Sequence, residues 1–199
     1  MDETGHAERH RVRMRPKKQI VDASIAAAQS DRGVPLVHTG EGKSSAALGM
    51  VGRAFGHGMH AAVVRFIKGS RRAGEAAFFR RFPEVSGHVM GEGFTWETQD
   101  RERIVWAVGA ACAQARSLLA DPRFELVLPG ELRIALEYGY VSFGEALGFL
   151  RSGPRSQHGV VTGRGAPAAL IELADTVSDM RDIRHAFRPG VRAQKGIEL

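Results

Sequence analysis

The apolar run Val34 to Val37 leads through His38-Thr39-Gly40-Glu41-Gly42-Lys43-Ser44-Ser45 into a helix-like stretch, Ser44 to Phe55. After Gly56-His57-Gly58 comes a second apolar run, Ala61 to Ile67. A strand, a glycine-rich turn, a helix and a second strand within about thirty residues is the pattern of a βαβ unit, which pairs its strands in parallel. The rest of the chain repeats that alternation. Strand patterns fall at Gly87 to Met90, Phe124 to Leu128, Gly159 to Thr162 and Thr176 to Asp182. Helix patterns fall at Glu75 to Arg81, Asp100 to Ala120, Phe143 to Leu150 and Ala168 to Leu173. The expected fold is α/β: a mainly parallel β-sheet with helices on both faces and a short N-terminal helical arm.

The loop Gly40-Glu41-Gly42-Lys43-Ser44 has the chemistry of a phosphate site. In such loops glycines let backbone N–H groups approach a polyphosphate, a lysine meets the outer phosphates, and a Ser or Thr hydroxyl reaches Mg²⁺. Only Gly40, Glu41 and Gly42 precede Lys43, however, so the wrap is shorter than the GxxxxG-K-[ST] pattern uses.

With 199 residues the expected organisation is a basic arm and helix over 1–33 and one domain over 34–199. Glu8 to Lys18 carries Arg9, Arg11, Arg13, Arg15, Lys17 and Lys18, too closely spaced to share one buried face. It reads as an arm that starts disordered, either a solvated tail or a segment that orders over a ligand or partner. Gln19 to Gln29 reads as a short amphipathic helix leading into the core, stopped by Gly33. Cys112 is the single cysteine, which excludes an intramolecular disulfide and a cysteine zinc cluster. The absence of a long apolar run or a secretory pattern leads to an expected cytoplasmic protein with no membrane partner. A net charge of +6 suits anionic ligands, and no nucleic-acid motif accompanies it.

In a parallel sheet the ligand crevice lies beyond the carboxyl ends of the strands. The residues there are Thr39 to Ser45, Lys68-Gly69, Glu92-Gly93-Phe94-Thr95-Trp96, Glu131 and Gly163-Arg164-Gly165. This rim suits a phosphate-bearing substrate beside a flat aromatic or macrocyclic one. Taken alone, Phe94 and Trp96 would more often be core, and Gly163-Arg164-Gly165 a turn. His57, His60, His88, His158 and His185 lack metal-ligand spacing and read as surface or capping residues. Arg71-Arg72 and Arg80-Arg81 read as solvated faces.

The strings Val63-Val64-Arg65-Phe66-Ile67-Lys68-Gly69, Gly91-Glu92-Gly93-Phe94-Thr95-Trp96-Glu97-Thr98-Gln99, Thr162-Gly163-Arg164-Gly165-Ala166-Pro167 and Gly190-Val191-Arg192-Ala193-Gln194-Lys195-Gly196-Ile197 are more specific. With them the chain resembles the ATP:corrinoid adenosyltransferases of the CobA/CobO/BtuR family over nearly its whole length, which implies an α/β fold that is P-loop NTPase-like (RecA-like). The resemblance implies transfer of the 5′-deoxyadenosyl group from ATP to a Co(I) corrinoid, cobalamin or cobyrinic acid a,c-diamide, with release of triphosphate. It also implies Mg²⁺, a flavoprotein Co(II) reductase as partner, and a homodimer in which the N-terminal helix helps cover the site. By resemblance Thr39, Gly40, Glu41, Gly42, Lys43, Ser44 and Ser45 would meet the triphosphate. Arg53 and Arg164 would add positive charge, Ser44 and Glu131 would serve the metal, and Lys43, Glu131, Phe94 and Trp96 would be catalytic, the aromatic pair lying by the corrin.

Two departures from the family pattern bear on activity. Relative to Thr-Gly-Asn/Asp-Gly-Lys-Gly-Lys-[ST]-[ST], the loop lacks two residues, and with them two N–H donors and one cation. At about 3.3 to 3.6 Å per residue it cannot follow the longer path. Where the family has Leu-Asp-Glu-Leu after the fourth strand, this chain has Leu128-Pro129-Gly130-Glu131-Leu132, so Gly130 stands in place of the acid and Pro129 removes a backbone N–H. The expectation is weaker triphosphate binding. The alternative functions are a catalytically impaired member that binds ATP or corrinoid without efficient turnover, and an unrelated use of the phosphate loop.

Overall fold

The computed structural model describes residues 3–28, 30–66, 74–89, 101–137, 139, 142, 144, 146, 148, 151 and 153–197. The expectations at Ile67, Lys68-Gly69, Arg71-Arg72, Met90, and the string 91–99 with Phe94 and Trp96 lie outside the described residues. So does most of 143–150, where 144, 146 and 148 are helical. The chain divides into two units, Met1–Asp31 and Arg32–Leu199.

The first unit is one helix, α1 (Glu3–Ala27), and it corrects the expectation of a disordered arm before a short helix. Most of the arm residues are good helix formers, and opposite charges meet one turn apart in the pairs Glu8–Arg11 and Lys18–Asp22. Pro16 lies inside the helix. Ile20, Val21 and Ile25, expected to lead into the core, are all exposed. Gly33 is not the helix stop either, since α1 ends at Ala27.

The second unit is built on six parallel strands: β1 (Pro35–Gly40), β2 (Ala61–Arg65), β3 (Val85–Val89), β4 (Leu126–Gly130), β5 (His158–Thr162) and β6 (Thr176–Met180). They pair in the order β3-β2-β4-β5-β1-β6. Among the described residues the bounded helices of this unit are α2 (Lys43–Gly56), α3 (Gly74–Phe79), α4 (Arg101–Ala120), α5 (Leu132–Glu137) and α6 (Ala168–Leu173). Strands alternating with helices in this way match the expected α/β class, and α5 has no counterpart in the sequence pattern.

Alternation along the strands builds two cores. Val63, Leu128 and Val160 join Ala47, Val51 and Ala54 of α2 on one face. Their chain neighbours Val64, Val127 and Val161 join Val108, Ala111, Ala115 and Leu119 of α4, with Leu132 and Leu170, on the other. Side chains of successive strand residues point to opposite faces, so a strand buried on both sides must be apolar at every position. All five residues of β4 are buried. Among the described residues no helix is long and apolar enough to cross a membrane.

Pro129 leaves a mark on the sheet. The register of β4 with β2 runs from Ala61↔Leu126 to Arg65↔Gly130, whereas that with β5 stops after Leu126↔His158 and Val127↔Gly159. In a parallel strand alternate residues address alternate neighbours. The Gly130 carbonyl accepts from Phe66 N on the β2 side, so Pro129 and Glu131 address β5. Pro129 has no N–H to offer there.

Gly33 is required by a close approach rather than a turn. Its N–H donates to the Arg155 carbonyl at 2.7 Å, and a Cβ at this position would lie 1.8 Å from the Gln157 carbonyl oxygen. Gln157 cannot yield easily, because its buried amide donates to the carbonyl of Phe124 at 2.9 Å. Gly33→Ala is expected to destabilise the second unit by about 1–3 kcal/mol, the usual cost of overpacking, seen as a Tm several degrees lower in thermal denaturation. An unchanged Tm would show that the segment around 157 moves freely.

Candidate active site

The loop between β1 and α2 is tied down at its entry. Gly40 (φ 89°) leaves β1 with no room for a side chain, since a Cβ there would sit 1.9 Å from the Met180 carbonyl oxygen. The same carbonyl accepts the Glu41 N–H at 2.9 Å. Thr39 Oγ1 accepts from Gly165 N at 2.8 Å, joining the loop to the turn after β5. Glu41 and Arg164 form an exposed ion pair across the same gap.

Gly42 (φ 78°, ψ −4°) caps α2 with no side-chain hydrogen bond. Only a residue without Cβ takes this left-handed position cheaply, and Gly42 has no side chain with which to accept from the first-turn N–H groups. These N–H groups, with the positive end of the helix dipole, suit an anion. Lys43 is the first helical residue, and its side chain is only 11% exposed. Its Nζ lies 3.2 Å from Glu131 Oε1, and the Ser44 Oγ lies 3.5 Å from the same oxygen. Ser45 is exposed beside them.

Glu131 reaches this place through an uncommon backbone. Its φ of 62° makes it the one non-glycine residue in the left-handed region among the described residues. Its N–H donates to Thr162 Oγ1 at 3.1 Å. Gly130, which precedes it, has room for a side chain: the nearest atoms to a Cβ would be Thr162 Oγ1 and the Val64 carbonyl, both at 3.7 Å. Arg65, at the carboxyl end of β2, pairs with Glu75 at 2.6 Å.

The structure thus brings together Thr39, Gly40, Glu41, Gly42, Lys43, Ser44, Ser45, Glu131 and Arg164. It does not bring Arg53 with them. Arg53 is exposed in the last turn of α2, ten residues from Lys43 and so about 15 Å along the helix. Phe94 and Trp96 lie outside the described residues. Among the histidines, His158 and His185 accept backbone N–H groups from Val34 and Phe187, each at 3.1 Å, as capping residues do.

A divalent cation suits the donor set. The Ser44 hydroxyl and Glu131 carboxylate are hard oxygen donors set close together, and Mg²⁺ takes one or two such protein ligands while phosphate oxygens and water complete its shell. Among the described residues no group of three or more His, Cys, Asp or Glu could hold a metal without such help.

Two residues of the site escaped the sequence reading. Thr162 was quoted only as the first letter of a string; the usable signal is a hydroxyl ending an apolar strand next to a glycine-rich turn. His38 is only 8% exposed, and its Nδ1 has no hydrogen-bond partner among the described residues. Burial pushes its imidazole below the ordinary value of 6.5, favouring the neutral ring.

The His38 shift fixes the sign of a pH effect. Because the folded pKa is depressed, the unfolded chain takes up the proton first as pH falls. The stability present above pH 6.5 is then lost progressively below it. Thermal denaturation from about pH 8 down to about pH 5 should show Tm falling, and His38→Phe should flatten that fall. The backbone of Glu131 supplies a second expectation. Glu131→Gly should be more stable than Glu131→Ala by about 1 kcal/mol, because only glycine takes φ 62° without strain. The usual ranking, alanine above glycine, would show that the left-handed backbone is not kept.

Comparison with known proteins relates the chain to a family. Residues 31–199 match the family model described as ATP:corrinoid adenosyltransferase BtuR/CobO/CobP. The chain is 57% identical over 195 residues to a corrinoid adenosyltransferase of Pseudomonas aeruginosa, covering 96% of each chain. It is 43% identical to a corrinoid adenosyltransferase of a Sinorhizobium species, covering 96% of this chain and 92% of that one. To the corrinoid adenosyltransferase CobA of Salmonella typhimurium it is 42% identical, covering 96% of this chain and 98% of that one. The parallel sheet, the glycine-capped helix carrying Lys43 and Ser44, and full-length similarity at this level make the chain a transferase that belongs to the ATP:corrinoid adenosyltransferase family BtuR/CobO/CobP.

Proposed function

We propose that this enzyme transfers the 5′-deoxyadenosyl group of ATP to the Co(I) centre of a corrinoid and releases triphosphate. The observation that carries the reading is the convergence of Lys43, Ser44 and Glu131 within 3.5 Å at the uncapped start of α2. The reaction needs no nucleophilic side chain. The electron pair of reduced cobalt forms the bond to C5′ as the C5′–O bond breaks, and the leaving triphosphate keeps that bond's electrons.

The protein therefore has to receive negative charge and hold C5′ in line with cobalt. The first-turn N–H groups of α2, Lys43 and Arg164 meet the triphosphate. Ser44 and Glu131 hold Mg²⁺, which when bound neutralises part of the triphosphate charge. In the free protein Glu131 keeps the Lys43 ammonium in place. Phe94 and Trp96, in the string 91–99, are the residues we assign to corrin binding. The protein works in the cytoplasm as a homodimer, on cobalamin or cobyrinic acid a,c-diamide reduced by a flavoprotein.

The reading is checked by incubating the protein with ATP, Mg²⁺ and chemically reduced cobalamin while following the spectral change that accompanies the cobalt–carbon bond. Turnover should fall about 10²-fold or more in Lys43→Ala, as when one charge-stabilising group is removed from an enzyme. No turnover in the wild type, with ATP still bound by calorimetry, would make the chain a binding protein. Inserting Gly-Lys after Gly42 together with Gly130→Asp is expected to raise turnover, and a Cβ at Gly130 would meet no atom closer than 3.7 Å. An unchanged rate would mean that the shortened loop and missing acid are not what limits it.

A further inference from the structure

We propose that Thr162 is a positioning residue of this site: its hydroxyl captures the Glu131 N–H and holds Glu131 in the left-handed conformation that carries its carboxylate to Lys43 and Ser44. The proposal rests on the reading of Lys43, Ser44 and Glu131 as the triphosphate site.

Glu131 addresses β5, because Gly130 addresses β2 through Phe66. An N–H continuing the strand would seek a β5 carbonyl, but the β4–β5 register has already lapsed beyond Val127↔Gly159. The nearest acceptor is a side chain instead, Thr162 Oγ1 at 3.1 Å. Thr162 has the same parity as Val160, which packs against α2. Its hydroxyl therefore stands on the α2 face of the sheet, the face on which Lys43 and Ser44 begin their helix.

Glu131 is also held from the other side. It is the only residue between β4 and α5, and Leu132, which follows, is 1% exposed in the α4-side core. With its N–H drawn to one face and its successor sunk into the opposite one, Glu131 is confined to an unfavourable backbone. Such strain persists only where the surroundings over-determine it. Thr162 is itself 2% exposed and cannot drift. Removing the hydroxyl leaves the Glu131 N–H without its acceptor and releases the backbone that aims the carboxylate.

The test uses the full-length protein and inorganic tripolyphosphate with Mg²⁺ as the calorimetric probe. Thr162→Val should weaken binding about 3- to 10-fold, the effect of one hydrogen bond, while Thr162→Ser, which keeps the hydroxyl, should bind like the wild type. In a Glu131→Gln background, Thr162→Val should have no further effect, because Thr162 acts through that carboxylate. Binding by Thr162→Val at the wild-type level, or an equal loss in both backgrounds, would overturn the proposal. Amide hydrogen exchange on the wild type is independent of any variant's folding. The Glu131 N–H should be protected, and exchange at the rate of an exposed amide would equally overturn the proposal. A wild type that binds the probe but does not adenosylate cobalamin would sink the proposed function and leave this assignment standing.

Discussion

Lys43 can stay nearly buried at the start of α2 only because Glu131 stands against it. An ammonium group there already faces the positive end of a helix dipole and first-turn N–H donors that Gly42 cannot cap with a side chain. A poorly hydrated cation in that position is unfavourable unless an anion is close by. Glu131 Oε1, at 3.2 Å from Nζ and 3.5 Å from Ser44 Oγ, supplies that anion in the free protein. An incoming polyphosphate would supply far more negative charge, so the ion pair marks where the ligand's charge belongs and keeps the lysine ready for it.

The contact is long-range in sequence, with Ser44 and Glu131 separated by 87 positions. The sheet order closes that gap. With β5 between β4 and β1, the carboxyl ends of the strands carrying Glu131, Thr162 and the loop stand side by side. Each strand then contributes what its last residue can. β1 ends in a glycine that lets the chain pass Met180, and β5 ends in a hydroxyl. β4 ends in a proline–glycine pair that breaks off pairing and frees the next residue to turn. Parallel pairing thus favours chemistry at the strand ends, because the interior positions of the central strands β2 and β4 are occupied by core.

The same geometry explains what could be read from the chain and what could not. The central strands β2 and β4 announced themselves because burial on both faces demands apolar runs, and all six strands lie close to their expected places. The loop was legible because glycine, lysine and serine at that spacing have few other uses. The charge density of 8–18 suggests disorder, although opposite charges one turn apart support a helix. Arg53 shares a helix with the loop but not its end, and a string of letters does not show that distance. Gly33 has the look of a helix stop, but its need is steric contact with residue 157, which no local pattern encodes. Thr162 could not be found from spacing alone, since its partner is a backbone N–H on another strand.

The short loop and the missing acid at position 130 bear on the same few ångströms. Gly40 and Glu41 are fastened to Met180, and Thr39 to Gly165, so the entry to the loop cannot move. With its entry fixed, a loop lacking two residues can shorten only at Gly42, which places Lys43 directly at the first turn of α2. A carboxylate on Gly130 would stand beside Thr162 Oγ1, where the Glu131 N–H now docks. With no side chain there, the hydroxyl is left to that N–H, and the following residue brings its own carboxylate round to the lysine. One acid thus balances one cation in the present site. Restoring the second acid without the second cation would leave Lys43 shared between two carboxylates, which is why the two changes belong together.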